Sequence, residues 1–301
     1  MNNIVKLKNI KKNYGKHTVV SIDELKVKKG EIYGLIGPNG AGKSTIMKMI
    51  CSITSPSKGD IIILGNKVND KNRSHILKSI GSIIEGPCYY ENLTGMENMK
   101  IVRDLKNLNN SDIDKAISIV GLKNQMDKKV NHYSLGMKQR LGIAMAIIGF
   151  PKLLILDEPT NGLDPQGMDE IRELIKSLSK NYGLSIFISS HILDEVEKMV
   201  DTIGIINRGN IIYKGSLEDF KVQHGSQISV KTSNNEKSLL LLEDYNPKLE
   251  VDVVQLPMIE DKKISEIIKI LVNNNIDIYR VFESTQSLEK LFINMTGKGD
   301  L

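Results

Sequence analysis

The sequence contains no tryptophan, few aromatic residues of any kind and only two cysteines, Cys51 and Cys88. Two cysteines so far apart cannot supply a disulfide framework, and no pair has the CxxC spacing of a metal site. This cysteine usage excludes the small disulfide-stapled secreted proteins and fits a reducing compartment.

Long hydrophobic runs are also missing. No apolar stretch approaches the roughly 18 residues that a membrane-spanning helix needs. The first residues, Met1–Gly15, lack the apolar core of a signal peptide. We therefore expect this chain to remain in water and to reach a membrane only through a partner.

An excess of one charge sign is absent as well. The net charge is +5, and the lysines are scattered apart from a stretch at Lys6–Lys16 that also fits a solvated strand edge. A basic patch for nucleic acid would be concentrated on one element. We expect no nucleic-acid partner. The apolar share of 40% excludes a disordered chain.

What is present is an alternation of strand and helix patterns, which predicts an α/β fold with a parallel sheet covered on both faces. The predicted strands are two within 4–27 around a turn at Tyr14–Gly15, then Ile32–Ile36, Asp60–Leu64, Ile80–Ile84, Lys152–Leu156, Leu184–Ser189 and Ile203–Ile206. The predicted helices begin at Ser44 or span Met168–Lys180 and His191–Met199.

Residues of about 86–150 interrupt this alternation with a predicted helical insert. Thr94-Gly-Met-Glu97 has capping-box spacing, and Ser111-Asp-Ile-Asp114 predicts a second helix start. Gly121 predicts the end of that helix, and Leu135–Ile148 predicts a third helix.

From about Ser216 the pattern changes to a small α+β appendage. Its predicted strands are Ile228–Lys231, Leu249–Gln255 and Ile276–Phe282, and its predicted helices are Glu236–Glu243 and Lys262–Val272. We therefore predict two domains, residues 1–220 and residues 221–301.

The strongest chemical signal is a glycine-rich loop between a predicted strand and a predicted helix. It consists of Gly37, Pro38, Asn39, Gly40, Ala41, Gly42, Lys43, Ser44 and Thr45, which fits G-x-x-x-x-G-K-[ST]. The glycines let backbone N–H groups curl around phosphate oxygens, and the helix N-terminus adds positive charge. We predict that Lys43 reaches the β- and γ-phosphates and that Ser44 binds Mg²⁺.

A second signal is the apolar strand Leu153-Leu-Ile-Leu, which ends in Asp157, Glu158 and Pro159. A carboxylate at the tip of a buried strand suits a magnesium partner, and we assign this role to Asp157. Glu158 follows at once and is placed to orient or deprotonate an attacking water. Together with the glycine-rich loop, this predicts a nucleoside triphosphatase that uses Mg²⁺, without indicating which kind.

The segment between these motifs indicates which kind of triphosphatase this is. Tyr133-Ser-Leu-Gly-Met-Lys-Gln-Arg-Leu141 precedes a predicted helix and resembles the signature of the ABC (ATP-binding cassette) ATPases, with Ser134 and Gly136 matching. Asn161-Gly-Leu-Asp164 resembles the D-loop of that family, and His191 matches its switch histidine. Tyr14 matches the aromatic residue that stacks on adenine.

The resemblance, which covers residues 1 to about 220, implies a RecA-like P-loop core and two cassettes paired head to tail. Ser134 and Gly136 of one copy would then bind the γ-phosphate held by the other, and His191 would contact the same phosphate. The resemblance also implies separate transmembrane permease subunits, which would hold this ATPase subunit at the cytoplasmic face of the membrane.

One position departs from the family pattern. Glu85 stands where the family normally has a glutamine that contacts Mg²⁺, and it offers an anionic oxygen in place of an amide. With Pro87, Tyr89, Tyr90 and Asn92-Leu-Thr94, this loop is similar to that of the bacitracin- and lantibiotic-type exporters. The resemblance implies export of, or immunity to, antimicrobial peptides.

Three alternatives remain open. The first is a related transporter for small drugs or sodium ions. The second is an ABC ATPase that acts on ribosomes or DNA, although the chain has one phosphate loop and only about 90 residues between Lys43 and Ser134, too few for long coiled coils. The third, a binding-only regulator, is disfavoured by the intact Lys43, Asp157, Glu158 and His191.

Overall fold

The computed structural model describes residues 3–192, 196–224 and 226–285, and it divides the described chain into two compact units. The first unit extends to Leu217 and the second begins at Glu218. Within the described ranges, no helix combines the length and apolarity needed to cross a lipid bilayer.

The first unit contains two sheets and a group of helices. In chain order its strands are β1 (Asn3–Tyr14), β2 (His17–Lys28), β3 (Ile32–Ile36), β4 (Lys58–Ile63), β5 (Asn66–Lys67), β6 (Ile80–Ile83), β7 (Leu153–Asp157), β8 (Ser185–Ser190), β9 (Thr202–Asn207) and β10 (Asn210–Ser216). Its helices are α1 (Lys43–Ile50), α2 (Arg73–Leu77), α3 (Gly95–Lys106), α4 (Asn110–Val120), α5 (Leu135–Ile147) and α6 (Pro165–Tyr182).

The central sheet has the order β10-β9-β3-β8-β7-β6. The pairs from β9 through β6 are parallel, and β10 is an antiparallel edge. Every residue of β3, β7 and β8 is buried, as expected of parallel strands covered on both faces. The predicted parallel α/β fold is therefore confirmed, and the carboxyl ends of β3, β7 and β8 meet at one edge, where the site lies.

A second, antiparallel sheet of order β2-β1-β4-β5 accompanies the central one. Its β1–β2 hairpin turns at Gly15, as the sequence predicted. Alternating apolar residues of β1 and β2 join residues of α1, β3 and β7 in one buried core. This core includes residues of β3 before the glycine-rich loop and of α1 after it, so both ends of the loop are held by buried packing.

The helical insert is present, with α3, α4 and α5 between β6 and β7. Thr94 and Glu97 form the predicted capping box of α3, and Gly121 ends α4 in the left-handed conformation. The predicted start of α4 at Ser111 was wrong. Asn109 is the N-cap of this helix. The Asp112 carboxylate, at the third helical position, accepts a hydrogen bond from the Asn109 N–H and so forms a capping box.

The long helix α6 also begins earlier than the predicted Met168. Asp164 caps it, accepting from the Gly167 N–H at 3.1 Å, and Pro165 occupies its first position. Proline is favoured there because its missing N–H has no intrahelical partner in any case. The predicted helix His191–Met199 falls partly on residues 193–195, which lie outside the described residues.

The second unit has a sheet of order β12-β13-β11-β14. Its helices are α7 (Leu217–His224), which starts at the unit boundary, α8 (Asn235–Leu241) and α9 (Asp261–Asn273), and its strands are β11 (Ser226–Thr232), β12 (Lys248–Glu250), β13 (Val253–Pro257) and β14 (Ile278–Thr285). The unit has its own buried core, formed by Ile228, Val230, Leu242, Val254, Leu256, Ile267, Leu271 and Ile276.

The predicted single strand Leu249–Gln255 was wrong, because β12 and β13 form an antiparallel hairpin there. The chain reverses at Val251, which is almost fully exposed and has a φ of 53°. Left-handed backbone is costly for a β-branched residue, and valine is not a typical turn residue, so no turn was predicted at this position.

Candidate active site

The glycine-rich loop connects β3 to α1 and leaves the helix N-terminus open. Gly42 is the N-cap of α1 with a φ of 107°, and no side chain caps the helix. A Cβ atom on Gly37 would lie 2.5 Å from the carbonyl oxygen of Ile206, so only glycine fits where the loop packs on β9. The uncapped N–H groups therefore face outward as a cradle for an anion.

Lys43 lies in the first turn of α1 and is buried. Its ammonium donates to the carbonyl oxygens of Gly37 at 2.7 Å and Pro38 at 3.3 Å, and it lies 3.5 Å from Glu158 Oε1. Burial lowers the pKa of Lys43, and the carboxylate of Glu158 acts in the opposite direction. The Lys43 ammonium can therefore donate to phosphate oxygens in place of the two loop carbonyl oxygens when a phosphate binds.

The acidic pair stands at the carboxyl end of β7. Asp157 is the last residue of the strand and is buried, and Glu158 follows with a left-handed φ of 48°. The Ser189 hydroxyl, from the neighbouring strand β8, donates to Asp157 Oδ1 at 2.5 Å and accepts from the Glu158 N–H at 3.0 Å. Strained backbone of this kind persists where the surroundings hold it, often at functional sites.

His191 follows the end of β8 and lies beside Glu158. Its Nδ1 atom is 3.1 Å from Glu158 Oε2. This contact is not a hydrogen bond, and the buried Nδ1 atom has no hydrogen-bond partner among the described residues. Ser190 bonds both the N–H and the carbonyl of Ile192, which fixes the turn that carries the histidine.

These contacts place the Glu158 carboxylate 3.5 Å from the Lys43 ammonium and 3.1 Å from the His191 ring, at the edge of the central sheet. The glutamate side chain is about one-fifth exposed and the histidine about one-third, so a small reactant can reach both. A carboxylate between a buried cation and an imidazole can accept a proton from water while phosphate charge develops nearby.

Glu85 lies in the loop after β6, also with a left-handed φ of 60°. Its carboxylate pairs with Lys48 of α1 at 2.5 Å, and about two-thirds of the glutamate side chain is exposed. The bond to Glu85 raises the pKa of Lys48. The structure thus connects Glu85 to the helix behind the glycine-rich loop, and its predicted metal role stays a prediction.

The signature residues form a separate surface. Ser134 is the N-cap of α5 and accepts from the Met137 N–H at 3.3 Å, while a Cβ atom on Gly136 would meet nothing within 4 Å. With Gly162 and Leu163 of the next turn they border an open pocket of about 660 Å³. Ser134 and Gly136 thus border an open pocket at the start of α5, and their predicted phosphate contacts stay a prediction.

Tyr14, the predicted adenine-stacking residue, ends β1 and is about half exposed. Lys12 Nζ lies 5.0 Å from the centre of its ring. A cation over one ring face is compatible with a base on the other, so the adenine role remains a prediction.

Sequence reasoning missed two residues that touch this site, Ser189 and Lys48. Ser189 carried a signal, since it is a polar residue after an apolar run of three, at the end of a strand that neighbours the acidic pair. The partner of Glu85 had no such signal, because Lys48 lies 37 positions away in the sequence and meets Glu85 through the tertiary fold.

A glycine-rich anion cradle after β3, a buried lysine and an acidic pair at the end of β7, two strands away in the same sheet, define a P-loop nucleotide-binding ATPase. The family model for the ABC transporter matches residues 20–161. The chain is 40% identical to the bacitracin transport ATP-binding protein BcrA of Bacillus licheniformis over the whole of both chains. It is 49% identical to the lantibiotic transport ATP-binding protein SrtF of Streptococcus pyogenes, across 71% of this chain and 93% of the relative.

A dimeric structure of MJ0796, a bacterial ABC transporter cassette, superimposes with a TM-score of 0.64 at 25% identity. That match covers 71% of this chain and 98% of the cassette. The chain belongs to the ATP-binding proteins of the ABC transporters. It is the ATP-binding subunit of such a transporter, and it hydrolyses ATP.

Proposed function

We propose that this chain powers the export of antimicrobial peptides of the bacitracin or lantibiotic kind, and so protects the cell that makes or meets them. The observation that carries the substrate class is the full-length likeness to BcrA, which includes the second unit as well as the ATPase core. The high identity to SrtF over the core supports the same class.

In the proposed mechanism, the glycine-rich loop and Lys43 hold the ATP phosphates. Glu158 accepts a proton from water as the water oxygen bonds to the γ-phosphorus. The bond from that phosphorus to the bridging oxygen breaks, which leaves ADP and phosphate. His191 contacts the γ-phosphate, and Tyr14 stacks on the adenine.

Mg²⁺ fits the donors at the site. Ser44, the second residue of α1, has a hydroxyl group, and the buried Asp157 carboxylate is held in place by Ser189, so both residues offer the hard oxygen donors that Mg²⁺ prefers. When bound, the ion neutralises charge on the phosphate oxygens. Glu85 would add an anionic oxygen only after its ion pair with Lys48 breaks.

We further propose that two copies pair head to tail. Ser134 and Gly136 of one copy would cover the γ-phosphate bound by the other, with the N-terminus of α5 directed at it. The open surface around Gly136 supports this arrangement, because the position has space for a phosphate and no side chain of its own chain fills it.

Separate permease subunits would hold the dimer at the cytoplasmic face of the membrane. The loop after Glu85 suits this contact, since the Tyr90 side chain is 63% exposed. Its backbone is nevertheless fixed: the buried Asn98 accepts from the Tyr90 N–H at 2.8 Å and donates to its carbonyl at 3.1 Å. A rigidly held, exposed aromatic residue is typical of an interface anchor.

The proposed domain limits separate ATP hydrolysis from the accessory part of the chain. Residues 1–220 would form the ATPase domain, with the helical subdomain at about 86–150 as its membrane-facing part. Residues 221–301 would form an accessory α+β domain.

The test uses a strain that lacks this gene, complemented with the wild type, Glu158→Gln or Glu173→Gln. Glu173 is an exposed residue of α6 paired with Lys176, so its amide variant is a matched control for the loss of one carboxylate. Inhibitory concentrations are measured for lantibiotics, bacitracin, unrelated cationic peptides, small drugs and sodium.

We expect sensitivity to one peptide class that the wild type and Glu173→Gln reverse and Glu158→Gln does not. A defect limited to small drugs or to sodium would reject the peptide assignment and favour the alternative transporter class. Rescue by Glu158→Gln equal to the wild type would reject the role of Glu158.

A further inference from the structure

The last two residues of β8 lie directly beside the acidic pair of β7. The two strands are parallel, and their register sets Asp157 opposite Ser189. Side chains at equivalent positions of neighbouring parallel strands point to the same face, so the serine hydroxyl reaches the carboxylate across the sheet. Ser189 is fully buried, and its contacts are therefore not exchanged with bulk water.

The Ser189 hydroxyl makes two bonds with different consequences. As a donor to Asp157 Oδ1 it fixes the rotation of the carboxylate. As an acceptor from the Glu158 N–H it holds the peptide group just before a backbone that has a left-handed φ of 48°. A single hydroxyl group thus connects the residue proposed to hold the metal with the residue proposed to activate water.

We propose that Ser189 is a positioning residue for ATP hydrolysis, which sets the Asp157 carboxylate and the Glu158 backbone in one geometry. The inference rests on the roles proposed above for Asp157 and Glu158. Ser189 keeps its proton throughout and acts only through these two neighbours. Groups that orient metal ligands in this way tune both metal binding and turnover.

Ser185, at the other end of β8, provides a comparison within the same strand. It is also fully buried, and its hydroxyl accepts from the Gly30 N–H at 2.8 Å, far from the acidic pair. Removing either hydroxyl deletes one buried acceptor from β8. Only the loss at Ser189 also removes hydrogen bonds to Asp157 and Glu158. Ser185→Ala is therefore a control for general destabilisation.

The experiment compares full-length wild type with Ser189→Ala, Ser189→Cys and Ser185→Ala. Cysteine keeps a side chain of similar shape but is a weak hydrogen-bond donor and acceptor. Three properties are measured: kcat and KM for ATP, the affinity for a fluorescent ATP analogue in EDTA and in Mg²⁺, and the melting temperature. The binding measurement does not depend on turnover.

For both Ser189 variants we expect kcat to fall about tenfold and the Mg²⁺-dependent gain in nucleotide affinity to fall by about the same factor. Affinity in EDTA is expected to stay within about twofold of the wild type, since the glycine-rich loop is unchanged. Ser185→Ala is expected to keep the wild-type kcat and the wild-type response to Mg²⁺, whatever its melting temperature.

Two reference variants, Asp157→Asn and Glu158→Gln, separate the possible failures. If they lose Mg²⁺ dependence and turnover respectively while Ser189→Ala matches the wild type in both, the inference about Ser189 is wrong and the proposed roles stand. Equal losses in Ser189→Ala and Ser185→Ala would also overturn it. If Asp157→Asn and Glu158→Gln behave like the wild type, the proposed roles are wrong and the inference falls with them.

Discussion

The glycine-rich loop and the signature region, the two proposed halves of the nucleotide site, differ in how far a single chain completes them. In the glycine-loop half, Lys43 is buried and lies 3.5 Å from Glu158, which lies 3.1 Å from His191. In the signature half, a Cβ atom on Gly136 would meet no described atom within 4 Å beyond the backbone of its own helix, and Leu135 beside it is half exposed. One half is pre-organised, whereas the other presents an open surface.

This difference separates binding from turnover. The pre-organised half has what it needs to hold the triphosphate, because its N–H groups and lysine face one anion site. In the proposed dimer, the signature residues of the second copy stabilise phosphate charge from the opposite side. The proposal therefore predicts that one copy is enough to bind ATP and that fast hydrolysis needs two.

The largest expected effect is that of Glu158→Gln within the pre-organised half. Loss of the proton acceptor should lower the ATPase rate by a factor of about 10²–10⁴. Nucleotide binding should persist, since Lys43 and the loop are intact. Steady-state hydrolysis and equilibrium binding are measured beside Glu173→Gln, whose rate should equal the wild type. Hydrolysis by Glu158→Gln at the wild-type rate would show that Glu158 is not the proton acceptor.

Gly136→Asp alters the open half. A carboxylate at this position would face the γ-phosphate of the partner copy, so we expect an ATPase loss of about 10²-fold. Gly136→Ala is the control for folding, because the added methyl group meets no described atom within 4 Å beyond the backbone of its own helix. Nucleotide affinity of the isolated chain should be unchanged in both. A loss of affinity in Gly136→Asp would mean that the two halves belong to one site within a single chain.

A smaller effect concerns the two cysteines that flank these regions. Cys51 ends α1 and burial raises its pKa from 9.0 to about 11, whereas Cys88 in the loop after Glu85 is exposed. Between these values the unfolded chain loses the thiol proton before the folded chain does. Stability should therefore fall as the pH rises from 9 to 11, by about 2 kcal/mol.

Denaturant unfolding across this pH range, for the wild type and Cys51→Ala, measures this fall as the difference between the two proteins. At pH 8 a thiol reagent should label Cys88 quickly and Cys51 only after unfolding, because the thiolate is the reactive form. Rapid labelling of both cysteines, or equal pH slopes for the two proteins, would show that the end of α1 is open to water.

The smallest expected effect is that of Lys48→Gln, which breaks the ion pair with Glu85. Exposed ion pairs contribute at most about 1 kcal/mol, so the melting temperature should shift by less than about 4 °C. Scanning calorimetry of Lys48→Gln, Glu85→Gln and the double variant gives the pair energy. A coupling energy well above this limit would place Glu85 among the pre-organised groups.

The glycine-loop half could be predicted from the sequence almost completely. Gly37 to Thr45 and Asp157-Glu158 are local motifs, and each is specified by neighbours along the chain. Their meeting point followed from a general rule, since the carboxyl ends of parallel strands share one edge of the sheet.

Contacts that depend on register or packing could not be predicted. The bond from Ser189 to Asp157 joins residues of separate strands, and the pairing of Lys48 with Glu85 joins α1 to the loop after β6. Single residues can also hide a turn, as Val251 does between β12 and β13. In contrast, the start of α6 could have been predicted, because Asp164 and Pro165 are typical residues for an N-cap and a first helical position. The prediction followed the apolar pattern instead and began the helix at Met168.

The most direct test of the central claim is sedimentation velocity of Glu158→Gln with saturating ATP and Mg²⁺. If the two halves of each site come from different copies, the nucleotide-bound protein should sediment as a dimer, and adding Gly136→Asp to the same chain should return it to a monomer that still binds ATP. A monomer with ATP bound in Glu158→Gln, or a dimer that persists with Gly136→Asp, would contradict the shared site.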